Sequence, residues 1–376
     1  MNGNYFGIDS FYFYFFIFMT IYVIICKELF SKNRKLFVFS CFLLLYLMAA
    51  MRGVTVGGDL KRYLPEFHWL ANSSLKDMWE YGHHEPGYML YVMSLGLISD
   101  SDRCFLIGTS LAALIGPFFM FYKHSKQPAI SLLLYYSMGA YTNTFNNVRQ
   151  SIAISIIFCS LTFLLNRDLK KYVVGILIAS TFHYSAAIML VVYPLCKKAL
   201  NVEKIVLYAG VGLSIVLLMG YSLMQFVVME FLTKYDPESF SEEGDGAGYG
   251  LFILYALIFI TISLFYLFKK KELSEKQQQI LSLFIIFQMF AMIIQLSAPI
   301  FHSMVRMTQY FFIPVVTLAI PYIHYVLKDN LYKFIYYVII FIFAVYNMIR
   351  VYSCAPNYQT NSQGVIPYVF IETTIF

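Results

Sequence analysis

The chain has 376 residues, of which 60% are hydrophobic and only 13% are charged. Soluble globular proteins carry about 25% charged residues, so this composition excludes an ordinary soluble protein. The formal net charge of +6 at pH 7 indicates a mildly basic protein and little else. The positions of the charges along the chain are more informative than their sum.

Apolar segments follow one another along almost the whole chain. They lie near 6–25, 36–51, 104–122, 129–145, 148–165, 203–223, 249–268, 278–300, 308–326 and 332–349. Two shorter apolar segments, 85–98 and 172–196, are predicted to be re-entrant or broken. Since a membrane span needs about 20 apolar residues, we predict an all-α, polytopic integral membrane protein with about 10–12 transmembrane helices. We expect a single integral membrane domain over 1–376.

Several function classes lack their motifs in this sequence. The six cysteines are scattered without CxxC or Cys/His ligand spacing, so neither a zinc site nor a disulfide framework is supported. The sequence also contains no Walker loop, no GxGxxG and no GxSxG. Any chemistry must therefore come from polar residues placed among the membrane segments.

Lysine-rich connections predict which ends of the spans face the cytoplasm. Basic clusters lie near 27–35, 123–126, 167–171, 197–198, 269–271 and 328–333. Because both ends of 172–196 are basic, this segment is predicted to be a hairpin that carries His183 to the opposite side. The outside face then contains the 52–84 loop and the acidic 224–248 loop, whose EEGDGAG run has the composition of a flexible lid.

Arginine does not follow the distribution of lysine. Several arginines fall on the predicted outside face, among them Arg52, Arg62, Arg149, Arg306 and Arg350. Arg149 and Arg306 directly adjoin apolar spans, where an unpaired cation is costly, and arginine suits bidentate binding of phosphate. The alternative is that each arginine pairs with an acid or a carbonyl at a helix end.

Two carboxylates on this face are candidate catalytic groups. Asp59 and Tyr63 are four residues apart and share a face if the segment is helical. Asp59 could act as a general base toward a sugar hydroxyl, or it could cap a helix that begins near Leu60. Glu85 precedes the helix-start residue Pro86, and is either a second carboxylate or a favourable charge at a helix N-terminus.

Further polar groups concentrate at the same boundary. Asn147, Arg149 and Gln150 lead into an apolar span and can bind phosphate or sugar hydroxyls. His183 lies at the break of the short hairpin, where a lone histidine is either a satisfied core residue or a functional group. His302 and Arg306 are four residues apart and share one helical face if that turn is helical. The adjacent pair His83 and His84 lacks a third metal ligand.

Together these segments resemble the EpsG-type, Wzy-like polysaccharide polymerases of bacterial capsule, exopolysaccharide and O-antigen assembly. The shared motifs are Arg52-Gly53, Val56-Gly57-Gly58-Asp59 with Tyr63, Glu85-x-Gly87-Tyr88, Asn147-x-Arg149-Gln150, Phe182-His183-x-Ser185, Arg306 with Tyr310-Phe311, and Pro367-Tyr368. The resemblance covers nearly the full length. Leu60 departs from the small polar residue expected after the aspartate.

The resemblance implies a GT-C-like glycosyltransferase in the bacterial cytoplasmic membrane, with its active site facing the periplasm or outside. Its substrate would be an oligosaccharide repeat unit on polyprenyl (undecaprenyl) diphosphate, and a chain-length regulator would be a partner. Arg52, Arg149 and Arg306 would bind the diphosphate. Asp59 would accept the proton, with His183 and Glu85 as the alternatives. No cofactor and no nucleic acid is implied, and a divalent ion at Asp59 or Glu85 is left open.

Two other functions remain as alternatives. A ligase that moves a finished glycan from the same lipid carrier would need the same arginines, so the residues do not exclude it. A flippase for lipid-linked oligosaccharides predicts an internal repeat and charges on both sides of the spans. The sequence shows neither feature, which disfavours the flippase.

Overall fold

The computed structural model describes residues 10–195, 201–215, 247–297, 303–352 and Val369. Within these residues all regular secondary structure is helical. The first helices are α1 (Ser10–Leu29), α2 (Arg34–Ala50), α3 (Leu60–Ala71), α4 (Leu75–Tyr81), α5 (Pro86–Gly96), α6 (Asp102–Lys123), α7 (Pro128–Ser137), α8 (Ala140–Asn146) and α9 (Val148–Leu165).

The remaining helices begin with one that ends just before His183. They are α10 (Leu169–Phe182), a 3-10 helix (Tyr184–Val191), α11 (Val192–Leu195), α12 (helical over 202–215), α13 (Ala247–Lys269), α14 (Glu275–Ser297), α15 (Ser303–Pro314), a π-helical turn (Val315–Ala319), α16 (Ile320–Val326) and α17 (Asn330–Tyr352). The predicted acidic lid in 224–248 lies almost entirely outside the described residues.

Seven helical stretches in the described part of the chain are long and apolar enough to cross a membrane. They correspond to α1, α6, α9, α13, α14, α17 and the continuous run from α15 to α16. The prediction of an all-α, polytopic membrane protein is therefore confirmed. At 11 residues, α5 is about 16 Å long and too short to cross the bilayer by itself.

The chain divides into two compact units. The first contains Met1–Thr162, Val174–Ala187 and Val316–Phe376, and the second contains Phe163–Val173 and Ile188–Val315. The division into two compact units does not test the expectation of a single membrane domain, which stays a prediction. Most of the candidate site residues belong to the first unit.

In the first unit, α2 and α6 run antiparallel, and an arginine ties them together at each end. Arg34 at the start of α2 donates to the Phe121 carbonyl at 2.7 Å, near the end of α6. Arg103 at the start of α6 donates to the Ala50 carbonyl at 2.7 Å, at the end of α2. At 1.5 Å per residue, Arg103 and Phe121 are about 27 Å apart along α6, close to the thickness of a hydrocarbon core.

The α3 helix is amphipathic and positions the loop region on this bundle. Leu60, Tyr63, Phe67 and Leu70 recur at helical spacing and are buried in one core cluster with residues of α5 and α6. The opposite face of α3 carries polar and charged side chains. This burial fixes the rotation of α3, and with it the direction in which Tyr63 points.

The structure splits the predicted span 129–145 into α7 and α8, with the break at Met138 and Gly139. The predicted break of 172–196 occurs at His183, between α10 and the 3-10 helix. Within the second unit, the Tyr172 hydroxyl donates to the Met189 carbonyl at 2.7 Å. Residues 17 positions apart are therefore side by side, as a hairpin requires.

The second unit is built around antiparallel apolar helices. The Gln288 amide on α14 donates to the Tyr255 carbonyl on α13 at 2.8 Å. The Tyr255 ring stacks on Phe312 of α15, with 4.0 Å between ring centroids. The first contact gives the buried amide N–H of Gln288 an acceptor, as an apolar environment demands, and the second packs α13 against α15.

Candidate functional site

A buried carboxylate, Glu85, forms the centre of the candidate site. Its side chain is 1% exposed and accepts a hydrogen bond from Arg149 Nη1 at 2.6 Å. The other carboxylate oxygen lies 2.9 Å from His183 Nδ1 and accepts the Tyr184 backbone N–H at 3.2 Å. Glu85 occupies the N-cap position of α5, but its side chain makes no capping hydrogen bond. The carboxylate therefore joins three chain segments instead of capping its own helix.

Close helix packing brings these segments together. Glu85 begins α5, Arg149 lies in the first turn of α9, and His183 follows the last residue of α10. A Cβ added at Gly87 would collide with the side chain and carbonyl of Thr181 on α10. Glycine at this position therefore permits the approach of α5 to α10 that the contact between Glu85 and His183 needs.

The environment keeps Glu85 ionised. Burial raises the pKa of its carboxyl group, but the hydrogen bond from His183 and the charge of Arg149 outweigh burial and lower the pKa to about 2. A carboxylate with so low a pKa is a weak proton acceptor near neutral pH. Glu85 is thus better suited to hold Arg149 and His183 than to act as the general base.

Arg149 is fixed on one side and accessible on another. Its Nη1 contacts Glu85, and its Nε donates to the Tyr63 hydroxyl at 3.4 Å. The side chain nevertheless remains 23% exposed. A guanidinium that is oriented in advance and still accessible can bind phosphate oxygens in a defined geometry.

His183 has its Nδ1 against the Glu85 carboxylate and is 12% exposed. An ionised carboxylate only accepts hydrogen bonds, so Nδ1 carries the proton in this contact. In the neutral ring, the lone pair is then on Nε2. This arrangement orients a histidine as a proton acceptor and stabilises the imidazolium that forms.

The glycine-rich turn before α3 places Asp59 against the end of α8. The Asp59 backbone N–H donates to Asn146 Oδ1 at 2.8 Å. Gly57 has a φ of 121°, and a Cβ there would collide with the Phe145 carbonyl, so only glycine fits. Asp59 occupies the N-cap position of α3 without a side-chain capping bond. The turn thus holds Asp59 one helical turn from Tyr63, which contacts Arg149.

Asn147 and Gln150 flank Arg149 in the sequence. The Asn147 amide donates to Asn143 Oδ1 at 2.8 Å, which connects the start of α9 to α8. Gln150 is only 3% exposed. Asn146, which is not among the predicted site residues, accepts the hydrogen bond from the Asp59 backbone.

Arg52 has a different environment from Arg149. It is 1% exposed, and it donates to the Val56 carbonyl at 3.2 Å, to Ser110 Oγ at 3.0 Å and to the Ala49 carbonyl. Its guanidinium also lies 4.6 Å from the centroid of the Phe145 ring. Arg52 therefore fastens the glycine-rich turn to α6, and this burial argues against its predicted contact with a diphosphate.

Two further predicted residues, His302 and Arg306, lie outside the first unit. Arg306 is an exposed residue of α15 in the second unit. His302 lies outside the described residues. The predicted His302–Arg306 pair therefore stays a prediction.

The fold and this cluster define a class of protein: an integral membrane protein with a prearranged Glu–Arg–His site at one end of its helices. A model of the EpsG family matches residues 35–370. The chain therefore belongs to the EpsG family, as its motifs indicated, and it fits a polysaccharide polymerase in general terms. No curated protein and no solved structure matches the chain.

Proposed function

We propose that this protein is a membrane glycosyltransferase that polymerises oligosaccharide repeat units carried on polyprenyl diphosphate. The observation that carries the proposal is the buried Glu85 carboxylate, which holds Arg149 and His183 at one site. One side chain suits an anionic leaving group, and the other suits removal of a proton. Transfer of a glycan from a diphosphate to a hydroxyl needs both.

In the proposed reaction, the bond between the sugar anomeric carbon and the diphosphate oxygen breaks, and its electron pair stays on the diphosphate. Arg149 stabilises this charge as it develops. The acceptor hydroxyl oxygen forms the new glycosidic bond, and its proton passes to His183 Nε2. The products are the free lipid diphosphate and a longer glycan, so no nucleotide donor or redox cofactor is required.

We assign the proton to His183 and not to Asp59 or Glu85. The Glu85 carboxylate is committed to three donors, whereas His183 is oriented by it. Asp59 is held through its backbone, and we propose that its carboxylate orients the acceptor sugar by accepting hydroxyl hydrogen bonds.

We further propose that the site faces the outside of the cytoplasmic membrane. The support comes from the two ends of α2 and α6. Lys32, Arg34, Lys35, Lys123 and Lys126 lie at or just beyond one end, whereas Arg52 and Arg103 lie at the other end, near Asp59. Under the positive-inside rule, the lysine-rich end is cytoplasmic and the site is on the opposite side.

The decisive experiment is a gene deletion in the native bacterium. Surface glycans reduced to a single repeat unit support a polymerase, and absence of any attached glycan indicates a ligase and contradicts the proposal. Complementation with Arg149→Ala should not restore long chains, and Arg149→Lys should also fail because lysine cannot reproduce the bidentate fork. Arg167→Ala, at an exposed connection after α9, is the matched control and should restore full chain length.

A second experiment identifies the proton acceptor. Purified enzyme is assayed with lipid-linked repeat units, comparing His183→Gln with Asp59→Asn. Loss of a general base lowers turnover about 100-fold or more, and we expect this for His183→Gln. A normal rate in His183→Gln with loss in Asp59→Asn would transfer the role to Asp59.

A further inference from the structure

A cavity of about 800 Å³ lies beside the site in the first unit. It is formed by the polar face of α3, by α4, and by the connection from α4 to α5. Its lining includes Arg62, Glu66, Trp69, Asp77, Tyr81 and His84. This volume is within the range of about 300–1,000 Å³ that is typical of small-ligand sites.

The α3 helix connects the cavity to the protein core. Arg62, Glu66 and Trp69 follow one another at helical spacing, on the face beside the buried Tyr63 and Phe67. On α4, the Asp77 carboxylate accepts hydrogen bonds from the backbone and hydroxyl of Ser74 at 3.0 and 2.6 Å. The walls are therefore held in place by the core on one side and by a capping box on the other.

The lining suits a carbohydrate better than an anion. Arg62 contributes one positive charge against the two carboxylates of Glu66 and Asp77, so with neutral histidines the net charge is −1. A net negative lining does not attract a diphosphate, which is itself an anion. Trp69 and Tyr81 remain 40% and 58% exposed, and such aromatic faces can pack on the C–H face of a sugar while polar neighbours bind its hydroxyls.

Only one layer of side chains separates the cavity from Arg149. His84 lines the cavity and lies 3.1 Å from Glu66. Its ring centroid is 6.4 Å from that of Tyr63 and 6.0 Å from that of Tyr88. Tyr63 in turn contacts Arg149 Nε. A ligand at Arg149 and a ligand in the cavity would therefore be neighbours.

We propose that this cavity is a glycan subsite that binds an oligosaccharide repeat unit, with Trp69 as the stacking platform and Glu66 as a hydroxyl acceptor. The proposal deepens the proposed function and rests on it for the identity of the ligand. It assigns recognition of the sugar chain to α3 and α4, and recognition of the diphosphate to Arg149.

The chain offers its own probe for this proposal, because it has only two tryptophans. Trp69 lines the cavity, whereas Trp79 is 64% exposed and does not line it. Trp79→Phe therefore leaves Trp69 as the single fluorescent reporter, and Trp69→Phe is the matched control. The ligand is the repeat-unit oligosaccharide obtained by partial hydrolysis of the organism's own surface polysaccharide.

With purified full-length protein in nanodiscs, this oligosaccharide should cause a saturable change in the fluorescence of Trp79→Phe. Trp69→Phe should give no change, and polyprenyl diphosphate without sugar should leave Trp69 unaffected. Absence of a saturable change in Trp79→Phe overturns the subsite. A change caused by the bare lipid diphosphate also overturns it, since the cavity would then bind the carrier.

Turnover kinetics provide the second readout. Trp69→Ala should raise KM about tenfold with little change in kcat, because one stacking contact is lost and the reacting groups are untouched. An unchanged KM contradicts the subsite. The two proposals can fail separately. If the oligosaccharide binds at Trp69 but the Arg149→Ala variant still polymerises, binding of the diphosphate by Arg149 is rejected and the glycan subsite is retained.

Discussion

Replacing Glu85 with glutamine tests the arrangement on which the proposed function depends. Glu85→Gln keeps the size of the side chain and removes its charge. The carboxylate accepts from Arg149, His183 and the Tyr184 backbone, whereas an amide presents its NH2 group to at least one of these donors. We expect Arg149 and His183 to lose their fixed orientation together.

The size of the effect follows from burial. Removing one partner of a buried ion pair costs about 3–5 kcal/mol, and the 23% exposure of Arg149 favours the lower end. The lowered pKa of Glu85 gives an energy of the same order of magnitude. A shift from the ordinary value of 4.5 to about 2 corresponds to ~3 kcal/mol. We therefore expect the free energy of unfolding to fall by about 3 kcal/mol.

Two measurements check this prediction: thermal unfolding of the purified protein, and polymer length in the deletion strain. Glu85→Gln should lower Tm and abolish chain extension. Asp102→Asn is the matched control, because Asp102 pairs with His68 at 2.8 Å but both side chains are at least 40% exposed. Exposed pairs contribute about 0–1 kcal/mol, so this variant should remain close to wild type. A Glu85→Gln protein with wild-type Tm and polymer length would refute the central role of Glu85.

Three further predictions concern the surroundings of Glu85. Gly87→Ala should force α5 away from Thr181, cost about 1–3 kcal/mol and reduce polymer length, whereas Gly250→Ala meets no atom within 4 Å and should be silent in both assays. Arg52→Met should lower the free energy of unfolding by about 3 kcal/mol, measured by denaturation, because it leaves buried carbonyls without a donor. Because the pKa of Glu85 is lowered, its contribution to stability is fully present above pH 4.5 and is lost as the pH falls towards 2. The Tm difference between wild type and Glu85→Gln should therefore be constant at neutral pH and shrink in acid.

Much of the fold could be predicted because it depends on local composition. Continuous apolar runs predicted the all-α membrane fold, and the basic residues at both ends of 172–196 predicted the break at His183. Asp59 occupies the position before α3 begins at Leu60, although its side chain makes no capping hydrogen bond. However, hydropathy alone did not reveal the division of 129–145 into α7 and α8, because both halves are apolar.

The pairings within the site could not be predicted in the same way. Glu85 is 64 residues from Arg149 and 98 residues from His183 along the chain. Contacts at such separations depend on helix packing, which no local periodicity encodes. The sequence accordingly presented Glu85, Arg149 and His183 as independent candidates. It also offered two alternatives for each arginine, a ligand or a partner at a helix end.

The arginines show why placement at a membrane boundary does not by itself define a binding residue. Arg34, Arg52 and Arg103 donate to backbone carbonyls. Arg34 and Arg103 each connect an end of α2 to an end of α6, and Arg52 holds the glycine-rich turn against α6. Arg149 instead pairs with a carboxylate that is itself buried and ionised. Backbone carbonyls satisfy the N–H donors of a guanidinium, so carbonyl partners are enough for an arginine whose role is structural. A buried carboxylate lowers stability unless its charge is compensated. The Glu85 carboxylate is therefore explained best by a function, which is to orient the partly exposed Arg149 for binding an anionic substrate group. The predicted contrast therefore lies in chain extension and not in stability. Both Arg52→Met and Arg149→Ala should lower the free energy of unfolding, since each leaves buried polar groups without a partner. The folded Arg52→Met protein should still extend chains, whereas the folded Arg149→Ala protein should not.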